Sequence, residues 1–368
     1  MPATAEDDRQ FMERALKLAE QGRGHVEPNP MVGCVIVKEG QIVGEGYHQQ
    51  FGGPHAERNA LANCEAEAAV GSTVYVTLEP CCHHGKTPPC TEALLEAKPA
   101  RVVVAMQDPF PKVQGGGLHI LKEAGIDVAV GICQEEAERL NAPYLKRQQL
   151  GKPWLIAKWA MTLDGKLATA SGSSKWISSE EARAEVHRIR GLCDGVMVGS
   201  GTAKLDNPLL TTRPPGPRTA ARIVIDGQAS LNETSRLIET IDEAPVIVAA
   251  SPNARPERLE RLAHAGCDFI VCQGNNHAAR VDFLLTELAR RGMTNLLVEG
   301  GSQLLGLLWD TRQIDEVYAF VAPKIAGGSE AISPIGGHGI SGMEDASQLN
   351  RVEVNHFGDT ICMHGFVN

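Results

Sequence analysis

A histidine and a glutamate stand two residues apart in Pro54-His55-Ala56-Glu57, Glu79-Pro80-Cys81 follows, and Cys90 comes nine residues after Cys81. One imidazole and two thiolates make the ligand set of a zinc ion that keeps its fourth position for water, unlike a closed four-ligand structural site. Such an ion lowers the pKa of its water and makes hydroxide available near neutrality. His55, Cys81 and Cys90 are therefore the expected Zn2+ ligands, with Glu57 as the catalytic proton shuttle. Cys82, His83 and His84 are alternative ligands, ranked lower because only Cys81 directly follows the Glu-Pro pair.

Residues two apart on a full helical turn point to nearly opposite sides, so His55 and Glu57 can share one ion only off the end of a helix. Pro88-Pro89 before Cys90 marks a second helix start. Two helix N-termini at one place would favour thiolate over thiol.

The elements that must hold these residues follow from periodicity. Residues 7–21 carry Phe11, Met12, Ala15, Leu16 and Ala19 at helical spacing, and apolar runs at 31–37 and 41–44 flank Lys38-Glu39-Gly40 as in a β-hairpin. Helix 56–69, strand 73–78, helix 91–97, strand 101–106, helix 116–124 and strand 127–130 then alternate, which predicts a mostly parallel sheet covered by helices. The charged stretch 145–150 meets Gly151-Lys152-Pro153 before a new apolar strand, so the 368 residues divide into domains 1–147 and 148–368. The second half reads as another α/β domain, with strands at 154–159, 195–198, 222–225, 246–249, 269–272, 295–298 and 317–321 and helices at 180–190 and 281–291.

Composition narrows the function. The net charge is −10 and both halves are acidic, so no basic surface for nucleic acid is expected. No apolar run approaches the roughly 18 residues of a membrane span, and the acidic start MPATAEDDRQ is unlike a signal peptide. The expected compartment is the cytoplasm, where the ten cysteines are not a disulfide framework. Cys34, Cys64, Cys133, Cys193, Cys267, Cys272 and Cys362 read as packing residues.

H-A-E followed by P-C and a later Cys resembles the zinc nucleoside and nucleobase deaminases, whose usual signature ends P-C-x-x-C. The longer C-C-H-H-G-K-T-P-P-C from Cys81 to Cys90, with P-N-P-M-V-G from Pro28 to Gly33, resembles the deaminase domain of the bifunctional riboflavin-biosynthesis deaminase/reductases. The resemblance implies that Asn29, His48, Lys86 and Asp108 line the pyrimidine and ribose-phosphate site. An amide suits a base edge and a lysine suits a phosphate.

The second half has no G-x-G-x-x-G after its first strand, which disfavours a Rossmann dehydrogenase. It carries Met161-Thr-Leu-Asp-Gly165, Val198-Gly-Ser-Gly-Thr202, Asp206-Asn-Pro-Leu-Leu-Thr-Thr-Arg213 and Val298-Glu-Gly-Gly-Ser302. The last, before the apolar helix 303–309, would let backbone N–H groups bind a diphosphate at a helix N-terminus. Together these motifs resemble the dihydrofolate-reductase-like half of the same bifunctional family, and the likeness spans essentially the whole chain. It implies an N-terminal cytidine-deaminase-like three-layer α/β/α domain followed by a dihydrofolate-reductase-like α/β domain. It also implies NADPH contacts at Ala160, Trp176, Thr202, Asp206, Gly301, Ser302, Gln303, Leu304, Leu305, Gly306 and Leu307. Substrate contacts are implied at Ser174, Arg190, Leu210, Arg213 and Glu299, with Arg190 and Arg213 as phosphate clamps and Lys158 as a weaker candidate for polarising the substrate.

The expected activities are deamination of 2,5-diamino-6-ribosylamino-4(3H)-pyrimidinone 5′-phosphate, then NADPH-dependent reduction of the ribosyl group to ribityl. The partners are small molecules, not nucleic acid or membrane, with self-association left open. A nucleoside deaminase with a regulatory second domain and a non-catalytic zinc-stabilised nucleotide binder are the rival readings.

Overall fold

The computed structural model describes residues 4–85 and 87–367, so Lys86 lies outside the described residues. The chain forms two compact units, Met1–Leu150 and Gly151–Asn368. The division falls after Leu150 because residues Ala142–Leu150 form one helix, with Tyr144 buried in the first unit.

In the first unit, strands β1 (Gly33–Lys38), β2 (Gln41–Tyr47), β3 (Thr73–Val76), β4 (Arg101–Val104) and β5 (Asp127–Val130) form a sheet of order β2-β1-β3-β4-β5. The expected mostly parallel sheet is instead evenly mixed: β1 is antiparallel to both β2 and β3, and only β3, β4 and β5 run parallel. The cause is the hairpin. Lys38 pairs with Gln41 across Glu39 and Gly40, both at positive φ, the conformation that a tight two-residue turn requires.

Successive β1 residues then bury opposite faces. Val35 and Val37 pack with Met12, Ala15, Tyr75 and Val103 on one side, while Cys34 and Ile36 pack with Ala56, Ala60, Val76 and Leu94 on the other. The first helix, Ala5–Glu20, starts at a Thr4–Asp7 capping box and crosses β1 so closely that a Cβ on Gly33 would lie 1.9 Å from the Ala15 carbonyl. The helix expected over 56–69 is broken into Ala56–Ala62 and Ala66–Ala69. At the break the Asn63 amide donates to the Glu45 carbonyl (2.9 Å), a side-chain bond that competes with helix continuation.

In the second unit, β6 (Trp154–Thr162), β7 (Gly195–Gly199), β8 (Ala221–Ile225), β9 (Val246–Ala250), β10 (Asp268–Val271), β11 (Asn295–Val298), β12 (Glu316–Ala322), β13 (Leu349–Phe357) and β14 (Thr360–Val367) form one sheet. Its order is β10-β9-β8-β7-β11-β6-β12-β14-β13. All neighbours run parallel except β14, which is antiparallel to β12 and β13. Leu296 and Leu297, adjacent on β11, belong to the two cores on opposite faces. Among the described residues, no helix is long and apolar enough to cross a membrane.

Candidate functional site

In the first unit, His55 is the N-cap of helix Ala56–Ala62 and Cys90 is the first residue of helix Cys90–Ala97. Cys81 follows β3 and is reached by the Cys90 backbone N–H (3.3 Å). His55 Nδ1 lies 3.5 Å from Cys81 Sγ and 3.3 Å from Cys90 Sγ. Tetrahedral ligands at zinc bond lengths of about 2.0–2.3 Å would stand about 3.6 Å apart, so these donors fit that ion. His55 Nε2 faces the Thr87 hydroxyl (3.4 Å), leaving Nδ1 as the ligating nitrogen. The Cys90 thiol hydrogen-bonds to Cys81 and so lowers the Cys81 pKa to about 4 against the effect of burial, with His55 adding to the shift. The same bond, given up by Cys90, raises the Cys90 thiol.

Glu57, in the first turn of its helix, is 3% exposed and its Oε2 has no hydrogen-bond partner. Burial raises its carboxyl, and the Cys81 charge adds to the effect. A buried orphan oxygen calls for an explanation, and a proton carrier beside a metal is a sufficient one.

His55, Glu57 and Cys81 line a cavity of ≈ 300 Å³ together with Asn29, His48 and Asp108. His48 Nδ1 lies 3.0 Å from the Pro54 carbonyl, which can only accept, so Nδ1 carries the proton and Nε2 accepts from the Asn29 amide (3.2 Å). That bond turns the Asn29 carbonyl oxygen into the remaining acceptor for a ligand. Burial lowers the His48 pKa and keeps the ring neutral, and burial raises the Asp108 carboxyl. Asp108 accepts from the Tyr144 hydroxyl (2.8 Å) and from Phe110 N (2.9 Å).

Glu79 is a positioning residue that motif reading passed over. Its Oε2 accepts from Asp108 N (3.3 Å) and Gly115 N (3.0 Å), and its Oε1 from Gly117 N (3.0 Å) and Leu118 N (3.3 Å). The carboxylate thus caps helix Gly116–Glu123 and fixes the segment that carries Asp108. Of the alternative ligands, Cys82 points its thiol at the Lys112 carbonyl (3.6 Å), His84 is exposed beside Glu92, and His83 lines the cavity against Phe110. The cluster that could hold an ion is His55, Cys81 and Cys90. Lys86, expected at the substrate phosphate, is outside the described residues.

In the second unit, a cavity of ≈ 490 Å³ is lined by Ser174, Arg190, Leu210, Arg213 and Glu299, and by Ala160, Trp176, Thr202, Asp206 and Gly301. Ser302–Leu307 form the start of helix Ser302–Asp310 behind this wall. Leu304 and Leu305 are buried in the core, and Gly306 abuts the Gly336 backbone, where a Cβ would meet its carbonyl carbon at 2.3 Å. Gln303 is exposed. Of the expected cofactor run, Gly301 borders the cavity, and the following residues offer the backbone of the helix start, not their side chains, to a ligand there.

Arg190, the other expected phosphate clamp, lines the same cavity. Its Nε and Nη2 bind the two Glu299 oxygens (2.5 and 3.0 Å) and its Nη1 binds the Thr211 carbonyl (3.2 Å), so the fork is engaged inside the protein. Lys158 Nζ is 3.5 Å from Glu299 Oε2. Burial pushes the Glu299 carboxyl up, but Arg190 and Lys158 outweigh it and hold the group at about 2. The exposed Arg213 makes one side-chain contact, to the Thr211 hydroxyl (3.3 Å), and retains the geometry of a phosphate ligand.

Residues 5–106 match the family model for the zinc-binding region of cytidine and deoxycytidylate deaminases, and residues 153–363 match the RibD C-terminal domain. The chain is 41% identical over 356 residues to the riboflavin biosynthesis protein RibD of Actinobacillus pleuropneumoniae, covering 97% of this chain and 94% of that one. It is 40% identical to the RibD protein of Escherichia coli strain K12, covering 97% and 98%. A solved structure from Thermotoga maritima, described as a diaminohydroxyphosphoribosylaminopyrimidine deaminase/5-amino-6-(5-phosphoribosylamino)uracil reductase, superimposes with a TM-score of 0.84 at 34% identity over 99% of both chains.

Proposed function

Since this chain belongs to the RibD family, we propose that the residues described above divide that family's two successive reactions between two separate cavities. The protein is a bifunctional enzyme of riboflavin biosynthesis. It deaminates 2,5-diamino-6-ribosylamino-4(3H)-pyrimidinone 5′-phosphate with zinc and reduces the resulting 5-amino-6-(5-phosphoribosylamino)uracil with NADPH.

His55 Nδ1, Cys81 Sγ and Cys90 Sγ would hold the ion. Zinc, when bound, makes water a competent nucleophile near neutral pH. Glu57 Oε2 would carry one proton of the attacking water to the ring nitrogen as the C–O bond forms, and the second to the amine as the C–N bond breaks and ammonia leaves. Asn29, fixed by His48, offers its carbonyl oxygen to a donor on the base edge, and the Tyr144 bond aims Asp108. In the second cavity NADPH, when bound, supplies a hydride for the opened sugar. Gly301 and Thr202 border the cofactor, Arg213 grips the substrate phosphate, and Arg190 orients Glu299 while Lys158 polarises the substrate.

We further place the protein in the cytoplasm, a compartment that keeps thiols reduced, because Cys81 and Cys90 must stay reduced to bind the ion. The observation that carries the reading is the convergence of His55, Cys81 and Cys90 beside the orphaned oxygen of Glu57. The test assays ammonia release and NADPH oxidation separately on the phosphoribosyl substrate. Each reaction should proceed in its turn, and ammonia release without subsequent NADPH oxidation would refute the second assignment.

A further inference from the structure

Helix Ala142–Leu150 falls between the stretches that the two family models match, yet it forms a wall of the first cavity. Tyr144, Arg147 and Gln148, at i, i+3 and i+4, share one helix face, and all three line that cavity. Tyr144 is tied to Asp108 (2.8 Å), which sets the position of this face against the base-binding side.

The charges on the lining decide where a phosphorylated ligand can lie. Glu57, Glu79 and Asp108 bring carboxyl groups to the lining, and His48, His55 and His83 bring imidazoles. Arg147 is the one permanent cation among the described lining residues. A phosphate dianion is attracted to the guanidinium, whose planar fork matches phosphate oxygens. The same field orients the ligand, with its phosphate at the helix and its base beside Asn29 and Glu57.

We propose that Arg147 binds the 5′-phosphate of the deaminase substrate and so selects the nucleotide over the phosphate-free ribosylamine; this rests on the deaminase reading of the first cavity. The test uses the full-length, zinc-loaded enzyme and measures ammonia release from the phosphorylated pyrimidine and from its phosphatase-treated counterpart. Arg147→Ala should lower kcat/KM for the phosphorylated compound by about ten- to a hundredfold, chiefly through KM, as expected for one charge-assisted pair. Its kcat/KM for the dephosphorylated compound should stay at the wild-type value. Arg147→Lys should recover part of the loss, and Arg147→Gln, which keeps side-chain length, should recover none.

Equal losses on both compounds, or no loss on the phosphorylated one, would overturn the assignment. Bound zinc, measured by elemental analysis of each variant, monitors the fold of the first unit and should be unchanged. A wild-type enzyme that released no ammonia from either compound would overturn the deaminase reading itself, whereas with an active wild type a failure concerns Arg147 alone.

Discussion

Replacing Glu299 by Gln removes the one carboxylate shared by Arg190 and Lys158. The Glu299 side chain is 10% exposed and that of Arg190 is 13% exposed, so solvent screens the pair weakly. A carboxyl that moves from 4.5 to about 2 on folding contributes about 3 kcal/mol of stability at neutral pH. Because the folded value is depressed, this stability is fully present above the unfolded pKa and is lost as pH falls from about 4.5 towards 2. Glu299→Gln also leaves the Arg190 guanidinium without a counter-charge, and breaking a buried pair on one side costs about 3–5 kcal/mol.

The assay is favourable, since all four tryptophans (Trp154, Trp159, Trp176 and Trp309) belong to the second unit and their fluorescence follows its unfolding alone. With a urea slope of about 3 kcal/mol/M, the midpoint should fall by roughly 1 M or more at pH 7. The gap between wild type and variant should narrow as the pH drops below 4.5. An unchanged midpoint at pH 7, or a gap that is independent of pH, would refute the claim that Glu299 is charged and paired in the folded enzyme.

Three further outcomes are expected. Glu57→Gln should reduce deamination by at least about 10²–10⁴-fold while metal analysis still finds bound zinc, because Glu57 is not a member of the donor cluster. Cys81→Ser and Cys90→Ser should lose zinc and Cys82→Ser should keep it, as elemental analysis after gel filtration would record. Gly301→Val, whose Cβ would lie 3.4 Å from the Thr202 hydroxyl, should raise KM for NADPH by about tenfold, whereas Arg213→Ala should raise KM for the phosphorylated intermediate instead. Steady-state kinetics with each ligand varied in turn separates the last two.

The metal cluster was legible because its chemistry is local: residue types, two helix starts and a strand end stand in short, ordered segments from His55 to Cys90. The alternation of strands and helices was equally open to reading, down to Asp127–Val130 and Asn295–Val298. What sequence concealed is long-range. Arg190 and Glu299 are 109 residues apart, and nothing near either residue announces that the expected phosphate clamp is already holding a carboxylate. Strand β13 exposes much of its surface to solvent and lacks the apolar runs that marked the others. Residues 145–150 read as a charged boundary, although Tyr144, Arg147 and Gln148 already had the spacing of a single helix face.

The Glu79 carboxylate bears on how the enzyme acquires its metal. It lies two residues before Cys81 and gathers four backbone N–H groups from the start of the following segment and helix, while Gly117 presses so close to Pro80 that a Cβ would meet its carbonyl at 2.0 Å. Protein groups therefore brace the peptide that carries the thiolate. Small zinc modules couple ion capture to chain folding and unravel when a chelator strips them. Here the socket is braced by protein groups, so stripping zinc with a chelator should abolish deamination while leaving the fold in place, as circular dichroism before and after chelation would show.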